Sequence, residues 1–289
     1  MSPSKIRQTA RRIGPLYWVV GLLRYVGFRR KLREANRAYA REANSDVPPP
    51  LLRHRVHGAL DETSYRHVGK LIASGLARCF DRYGVVLDNL RVLDFACGPG
   101  RVANELKSLA PSCRISGSDI NRETIDWARE HLSDVGGFET NDPAPPTRHA
   151  DGTFDAIYTV SLFTHLDEAS QDAWLAELAR ILKPGGIFLA TTHGRHSLTS
   201  CTAGELRELE ARGIVHRVDR KGRFKLDGLP DSYQTTFHTR EYVARSWSRF
   251  FGVVDHVEGW LGDQDLVVLR RRSIDPIRLP PSRLPSAPQ

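Results

Sequence analysis

A short run of glycines beside a carboxylate is the part of this sequence best suited to holding a ligand. The run is Val92-Leu93-Asp94-Phe95-Ala96-Cys97-Gly98-Pro99-Gly100-Arg101, and it lies where a predicted strand meets a predicted helix. Glycines at such a junction let the backbone approach a ligand closely, and the first turn of the helix offers free N–H groups. Asp119, nineteen residues after Gly100, ends the next predicted strand. A carboxylate there can accept two hydrogen bonds from a ribose diol.

These features fit two classes of cofactor and one structural alternative. Gly98-x-Gly100-x-x-Ala103 matches the dinucleotide fingerprint, although a single match of this kind is weak. A tight strand-to-helix turn that binds nothing would also explain the glycines. Asp94 favours a third interpretation, because a carboxylate inside an apolar strand is costly to bury without a partner. A ligand with an ammonium group would supply that partner, whereas a pyrophosphate would be repelled.

Three histidines follow predicted strands or precede a late helix and are candidates for a general base. They are His165 and His193, after two successive strands, and His238. A base next to the reacting oxygen speeds transfer to a hydroxyl. His165 is the leading candidate, and a hydrogen-bonded structural histidine is the alternative at each position. His193 and His196 have no third ligand nearby, so we predict no metal site.

Apolar runs and amphipathic stretches alternate along the rest of the chain. This alternation predicts a parallel sheet with helices on both faces. The predicted strands are Arg91–Ala96, Cys113–Ser118, Gly137–Thr140, Phe154–Val160, Ile187–Thr192, Val253–Trp260 and Asp265–Arg271. The predicted helices are Glu62–Tyr83, capped by Asp61 or Thr63, then Val102–Leu109, Glu123–Leu132, Gln171–Leu182, Thr202–Arg212 and Arg240–Phe251. Residues 213–232 are predicted to be irregular.

Four motifs in this order resemble those of the class I S-adenosylmethionine-dependent methyltransferases. Asp94–Arg101 is similar to the first motif of that family, and Ser118-Asp119-Ile120 to the acidic end of its second strand. Phe154–Val160 resembles the fourth strand, and Leu182-Lys183-Pro184-Gly185-Gly186 the turn before the fifth. The resemblance spans about 180 residues. It implies an α/β, Rossmann-like, doubly wound and mostly parallel seven-stranded sheet with a C-terminal antiparallel hairpin, plus N-terminal helices.

The resemblance also implies a cofactor, S-adenosylmethionine, and the residues that would bind it. Asp94 would face the methionine amino group, Asp119 and the neighbouring Ile120 would lie at the ribose, and Asn141 or Asp142 would lie near the adenine. The loop beneath the cofactor would comprise Ala96, Cys97, Gly98 and Gly100, with Ser161 at the end of the fourth strand. The family usually has glycine where this chain has Ala96. We expect Ala96 to adopt an ordinary β conformation, leaving the special conformations to Gly98 and Gly100.

The charge is concentrated at the N-terminus. Residues 1–43 carry eleven Lys or Arg and two acidic side chains, a net +9, which leaves −1 for the remaining residues of a chain whose total is +8. A uniformly basic nucleic-acid-binding protein is therefore excluded, and no nucleic-acid partner is predicted. The apolar residues Tyr17, Trp18, Val19, Val20, Leu22 and Leu23 precede several arginines. This pattern is typical of a helix at an anionic membrane, or of a helix packed on the protein body.

The composition also indicates a compartment and a division of the chain. Four scattered cysteines without a C-x-x-C pair suit a reducing compartment, so we predict a cytoplasmic protein, with peripheral attachment to the inner membrane face as the hypothesis for residues 1–43. Residues 44–90 are interpreted as a proline-led linker and a lid-like helix. The catalytic domain is predicted over residues 91–272, with an insertion at 193–240, followed by a disordered proline-rich tail at 273–289.

The acceptor is less clearly marked than the cofactor. The run Tyr233–His238 mixes hydroxyl, amide and aromatic groups, which suits a sugar as well as an ordinary β-hairpin. The Ser161–Leu166 and Gln264–Arg270 runs and the Pro48–Arg53 lead-in resemble bacterial methyltransferases of surface-polysaccharide assembly. This likeness implies O-methylation of a glycan. Methylation of a small molecule or lipid, an NAD-dependent oxidoreductase and a membrane-associated binding protein without catalysis remain the alternatives.

Overall fold

The N-terminal region of the computed structural model is helical. The structure describes residues 14–41, 46–218 and 234–273, and for residues 14–20 the backbone alone. Three helices precede the sheet: α1 (Gly14–Tyr39), α2 (Pro50–His57) and α3 (Glu62–Arg82). The Asp61 side chain caps α3 by accepting a hydrogen bond from the Ser64 backbone N–H at 2.8 Å. Asp61, one of the two predicted caps, is therefore the N-cap of this helix.

Strands and helices then alternate as predicted. The first half comprises β1 (Arg91–Phe95), α4 (Arg101–Leu109), β2 (Arg114–Asp119), α5 (Arg122–His131), β3 (Gly136–Thr140), β4 (Phe154–Thr159) and α6 (Glu168–Ile181). The second half comprises β5 (Leu182–His193), a 3₁₀ helix (Arg195–Ser200), α7 (Ala203–Arg212), β6 (Ile214–Arg217), β7 (Thr235–His238), α8 (Arg240–Ser246), a 3₁₀ turn (Trp247–Arg249), β8 (Gly252–Leu261) and β9 (Gln264–Arg270).

The central sheet has seven strands in the order β3-β2-β1-β4-β5-β9-β8. The pairs from β3 to β5 are parallel, and β9 lies antiparallel between β5 and β8. The Rossmann-like, doubly wound fold with a closing antiparallel hairpin is therefore confirmed. The strand order reverses between β1 and β4, and in open α/β sheets ligands bind outside the carboxyl ends of the strands at such a point.

Buried side chains fill both faces of the sheet. Successive residues of β1 show the division, because Val92 belongs to the cluster under α3, α4 and α5, whereas Leu93 belongs to the cluster under α6 and α8. Alternate residues of a strand point to opposite faces, so a strand covered on both sides is apolar throughout. Asp94 is the exception within this strand, and it is 3% exposed.

Helix α1 packs on the body along one stripe. Phe28 lies 4.6 Å from the His54 ring of α2, centroid to centroid, and Leu32 is buried. Near the end of α1, the Tyr39 hydroxyl donates a hydrogen bond to the carbonyl of Val47 at 3.2 Å. The packed-helix interpretation of this segment therefore holds for its second half. In the described parts of the chain, no helix has an apolar stretch long enough to cross a bilayer.

Three local predictions are wrong. The proline run predicts a linker, but Pro50 begins α2, because a proline in the first turn of a helix lacks only an N–H that would have no partner there. Ile214–Arg217 lies in a stretch predicted to be irregular, yet it forms β6 through antiparallel pairing with β7. The Leu182–Gly186 run lies within β5 as a bulge, with Gly185 at a φ of 77°, instead of preceding the strand.

Several predictions fall on residues that the structure does not describe. The proline-rich tail from residue 274 onward and residues 219–233 of the insertion are among them. Tyr233 of the polar run is in the second group, whereas residues 235–238 of that run form β7. The hairpin interpretation of the run is therefore correct for the strand that the structure describes.

Candidate functional site

The loop between β1 and α4 has three residues in the left-handed conformation. Gly98 and Gly100 have φ values of 54° and 75°, as their predicted role requires. Ala96 has a φ of 63°, so the expectation of an ordinary β conformation is wrong. The loop keeps the conformation that suits glycine and places alanine in it, at a cost of about 1 kcal/mol. The turn is therefore determined by its surroundings and not by the local preference of Ala96.

Asp94 is the most unusual polar group of the site. Its Oδ2 atom is buried and has no hydrogen-bond partner among the described residues. Burial raises the pKa of Asp94 to about 7, and the nearby Tyr158 hydroxyl opposes that shift. Tyr158 is the parallel partner of Asp94 on β4, and its own buried hydroxyl lacks good hydrogen-bond geometry to any described group. A cationic ligand here would restore the partner that the carboxylate lacks.

Asp119 fastens the end of β2 to the glycine loop. Its Oδ2 accepts a hydrogen bond from the Gly98 N–H at 2.9 Å, and its Oδ1 accepts one from the Asn121 N–H at 2.8 Å. The Ile120 N–H also contributes, but burial outweighs these contacts and raises the pKa of Asp119. Each carboxylate oxygen can accept more than one hydrogen bond. Asp119 can therefore hold the loop and still accept bonds from a diol.

The remaining predicted cofactor residues of the β2 and β3 ends lie around Asp119. The Cys97 N–H donates to the Ser118 carbonyl at 3.0 Å, and burial raises the pKa of the Cys97 thiol, so that side chain is an inert packing group. Asn141 accepts a hydrogen bond from the Ser118 hydroxyl at 2.7 Å and donates one to the carbonyl of Asp142 at 2.7 Å. The structure thus brings Asn141 next to Asp119, with Asp142 exposed beyond it.

Helix α2 covers the glycine loop. A Cβ atom built on Gly98 would lie 2.5 Å from Val56 Cγ1, so the two residues are in contact. Arg55, on the same helix, pairs with Glu123 at 2.7 Å and lowers the pKa of Asp119 against the effect of burial. The helix over the loop thus lies within residues 44–90, for which the sequence predicts a linker and a lid-like helix. The individual residues of α2 were not predicted, because nothing in a linker-like proline run pointed to them.

Arg101 and Tyr65 complete the loop's surroundings and were also not predicted. Arg101 is the first residue of α4, and its guanidinium lies 5.6 Å from the centroid of the Tyr65 ring and 3.2 Å from His57 Nδ1. Arg101 Nε and the Tyr65 hydroxyl are both buried without a partner among the described residues. Burial lowers the pKa of Arg101, with Tyr65 and Asp94 opposing that shift. The guanidinium of Arg101 therefore forms a site for an anionic group, next to the site for a cationic group at Asp94.

His238 is not placed as a base. Its ring is 6% exposed, and its Nε2 lies 2.9–3.0 Å from the Gln171 side-chain amide. Burial lowers the pKa of His238 to about 3. A histidine that stays neutral, fully enclosed and hydrogen-bonded to another side chain cannot reach an acceptor. The structural interpretation therefore replaces the catalytic one for this residue.

His193 and His165 lie together at the carboxyl ends of β5 and β4. Their ring centroids are 6.4 Å apart, and the His193 ring stacks on Phe237 at 5.1 Å. His193 Nδ1 lies 2.8 Å from the Thr236 carbonyl, and His165 Nδ1 lies 2.5 Å from the Gln234 carbonyl. Because a carbonyl oxygen only accepts, each Nδ1 carries the proton, and the lone pair of the neutral ring is on Nε2. Burial lowers the pKa of His193, which keeps that ring neutral.

Ser161 occupies the same edge of the sheet. It has a φ of 62°, and its hydroxyl lies 2.8–3.1 Å from the Gln264 side-chain amide. Its N–H donates to the Thr191 hydroxyl at 2.7 Å. These contacts join β4, β5 and β9 at their ends, and they give this edge a polar character that suits a hydroxyl-bearing ligand. In the described ranges, no three His, Cys, Asp or Glu side chains are grouped to hold a metal ion.

The comparison with known families falls on this same region. A family model described as "Methyltransferase domain" matches residues 92–186. The ubiquinone/menaquinone biosynthesis C-methyltransferase of Desulfotalea psychrophila is 33% identical over 96 residues, which are 33% of this chain and 38% of that protein. The demethylmenaquinone methyltransferase of Deinococcus radiodurans is 38% identical over 99 residues, 33% of this chain and 40% of the relative. The chain thus spans about two fifths of the length of these relatives.

A solved structure shows the same fold. An S-adenosylmethionine-dependent methyltransferase from Clostridium acetobutylicum superposes with a TM-score of 0.50 at 13% identity, covering 70% of this chain and 92% of the other. At that identity the likeness establishes the architecture alone. The residues matched by the family model contain the glycine loop, β2, β3, β4 and the β5 bulge. The enzyme class predicted from the four motifs agrees with this match: residues 92–186 match a methyltransferase domain and form part of a Rossmann-like sheet.

Proposed function

We propose that this protein transfers a methyl group from S-adenosylmethionine to an oxygen of an acceptor held beyond the ends of β4 and β5. The observation that carries the proposal is the buried, unpartnered Oδ2 of Asp94 next to a glycine loop. An ammonium group would be a hydrogen-bond donor to that oxygen. NAD has no ammonium group, and its pyrophosphate would place negative charge beside the carboxylate. The bound cofactor would supply a methyl group on a positively charged sulfur, which is an electrophile.

The residues around the loop have complementary parts in holding this cofactor. Asp94 would accept hydrogen bonds from the methionine ammonium, and Arg101 with Tyr65 would take the methionine carboxylate. Asp119 would bind the ribose diol, with Ile120 beside it, and Asn141 and Asp142 would lie towards the adenine. Gly98 and Gly100, with Ala96 in the same conformation, would keep the backbone low enough for the cofactor to pass. A carboxylate facing the methionine ammonium and a guanidinium facing the methionine carboxylate would together fix the orientation of the methionine part.

His165, with His193 as the alternative base beside it, would accept the single proton that the acceptor hydroxyl releases. An alcohol gives up its proton as the new C–O bond forms, so a neutral imidazole with its lone pair on Nε2 is the group required. The carbonyls of Thr236 and Gln234 hold each ring in that tautomer. Replacing either histidine by asparagine should lower kcat at least tenfold and leave the affinity for S-adenosylhomocysteine within twofold. Unchanged kcat in both variants would refute the base role.

The acceptor that we propose is a sugar or glycan hydroxyl. The support is the polar edge formed by Ser161, Gln264 and the two histidines, whose hydroxyl, amide and imidazole groups match the donors and acceptors of a polyol. A lipid or small-molecule acceptor is the second candidate. It is favoured by the relatives, whose names place them in quinone biosynthesis. Mass spectrometry of both the surface glycans and the quinones of a deletion strain separates the two.

The cofactor is tested by calorimetry. The protein should bind S-adenosylhomocysteine and not NAD. Binding of NAD alone would make the chain an oxidoreductase, and cofactor binding without transfer to any acceptor would make it a binding protein without catalysis. We further propose that the protein acts in the cytoplasm at the inner face of the membrane, where a lipid-linked acceptor would be presented to it. That location depends on residues 1–43.

A further inference from the structure

Helix α1 presents apolar side chains to the surroundings on the side away from the body. Leu22, Leu23 and Val26 are 51%, 66% and 57% exposed. A single exposed leucine is ordinary on a protein surface, but three on adjacent turns form a patch. The packed stripe of the same helix contains Phe28, Leu32 and Tyr39, so the exposed residues are not simply the edge of that contact.

Basic side chains continue this exposed patch along the helix. With 3.6 residues per turn, Leu22, Val26, Arg29, Arg33 and Arg37 fall on one face, which lies about 120° around the helix from the packed stripe. All five are exposed. The face runs for about 22 Å at 1.5 Å per residue, with apolar groups at its first end and guanidinium groups at the other.

The charge of this face is almost uncompensated. Among the described residues of α1, Glu34 is the one acidic side chain, and it pairs with Arg30 at 3.1 Å. Arg29, Arg33 and Arg37 form no ion pair with any described residue. The apolar groups and the positive charges are thus both available to a partner.

We infer that the α1 outer face, defined by Leu22, Leu23, Val26, Arg29, Arg33 and Arg37, docks on an anionic phospholipid membrane. Apolar side chains next to arginines match a surface in which acyl chains lie beneath negatively charged head groups. A second copy of the chain would bring like charges together. A nucleic acid would match the arginines and leave the leucines exposed. The helix would lie on the surface, since it is not apolar enough to cross a bilayer.

This docking would hold the candidate site close to the membrane. Phe28 of α1 contacts His54 of α2, and Val56 of α2 contacts Gly98 of the glycine loop. The membrane surface and the cofactor loop are therefore separated by α1 and α2. The inference concerns location and does not rest on the proposed methyl transfer.

The test is sedimentation of the full chain with vesicles of phosphatidylcholine alone or with phosphatidylglycerol added. Binding should require the anionic lipid and weaken as salt is raised. The variant R29Q/R33Q/R37Q should lose roughly a hundredfold in affinity, at about 1 kcal/mol for each arginine. The variant L22S/L23S/V26S should lose at least tenfold. The matched controls, L71S/V86S/L109S and K70Q/R78Q/R114Q, change exposed residues on the body and should bind like the unchanged protein.

Three results would overturn the inference. They are unchanged binding in both α1 variants, equal binding to vesicles without anionic lipid, and an α1-dependent dimer in sedimentation velocity without vesicle binding. Melting temperature and S-adenosylhomocysteine affinity are measured on the same samples to show that each variant is folded. Vesicle binding without S-adenosylhomocysteine binding would leave the docking face standing and refute the proposed methyltransferase.

Discussion

At the scale of single residues, Asp94 links cofactor affinity to pH. Burial raises its pKa to about 7, so the carboxyl group is mostly protonated below that pH in the free protein. An ammonium ligand needs the charged form. The proton must therefore be released before or during binding, and the free protein itself loses stability as pH rises from the unfolded pKa of 3.8 towards 7.

We expect the affinity for S-adenosylhomocysteine to fall by up to tenfold for each pH unit below about 7, because binding then displaces one proton. Calorimetry in two buffers of different ionisation enthalpy measures that proton directly. D94N should bind weakly at every pH and show no such slope. The same slope in D94N would assign the titration to another group.

Ala96 carries a second prediction at this scale, because its φ of 63° is better suited to glycine. A96G should raise the free energy of unfolding by up to about 1 kcal/mol, since the relief of the left-handed alanine exceeds the extra freedom of glycine in the unfolded chain. A96V should lower it by more than 1 kcal/mol, because a β-branched side chain is less tolerant still. Urea denaturation measures both. A stabilising A96V would show that the loop relaxes out of this conformation.

At the scale of secondary-structure elements, α3 approaches the sheet through glycine. A Cβ atom on Gly75 would lie 2.8 Å from the Trp260 ring of β8. The intrinsic helix preference of alanine is worth about 1 kcal/mol over glycine, but overpacking a core contact costs about 1–3 kcal/mol. The contact with Trp260 therefore decides whether replacing Gly75 by alanine raises or lowers the free energy of unfolding.

We expect G75A to lower the free energy of unfolding by about 1 kcal/mol or more. G204A is the matched control, because the nearest atom to its Cβ would be Thr202 Oγ1 at 3.9 Å, and it should be neutral or stabilising by up to about 1 kcal/mol. Chemical denaturation of both variants gives the comparison. A stabilised G75A would mean that Trp260 moves aside without cost.

The elements also show where sequence reasoning works. Strong apolar periodicity and the glycine and Leu182–Gly186 motifs were enough to predict the sheet and the position of Asp94 and Asp119. Helix α2 was missed because its first residue is a proline, which ends most helices but can begin one. Strand β6 was missed because four residues have little periodicity, and their pairing with β7 is a tertiary contact.

Side-chain pairs from distant parts of the chain could not be predicted from the sequence, because they too are tertiary contacts. The contact between Arg101 and Tyr65 joins α4 to α3. Tyr158 could be predicted from the sequence, since aligning the parallel strands β1 and β4 places it opposite Asp94. In the sequence, His238 resembles the other two candidate histidines, His165 and His193. Its burial against Gln171 in the structure is what distinguishes it from them.

At the scale of the whole molecule, the cofactor should act as a stabilising ligand. A ligand that binds only the folded chain at a hundred times its Kd adds about 2.7 kcal/mol to the free energy of unfolding. In a protein of this size that corresponds to a rise in Tm of roughly 5 °C or more. Thermal unfolding with S-adenosylhomocysteine should show this rise, with D94N as the control that lacks it. NAD should leave Tm unchanged.

The contact between Val56 and Gly98 has a consequence for the timing of turnover. Helix α2 is anchored over the glycine loop by Arg55 on Glu123 and by His57 on Arg101. We expect a cofactor that rests on the loop to enter and leave past this helix. Under the proposed function, exchange of spent for fresh cofactor therefore depends on the opening of an N-terminal helix as well as on the chemical step.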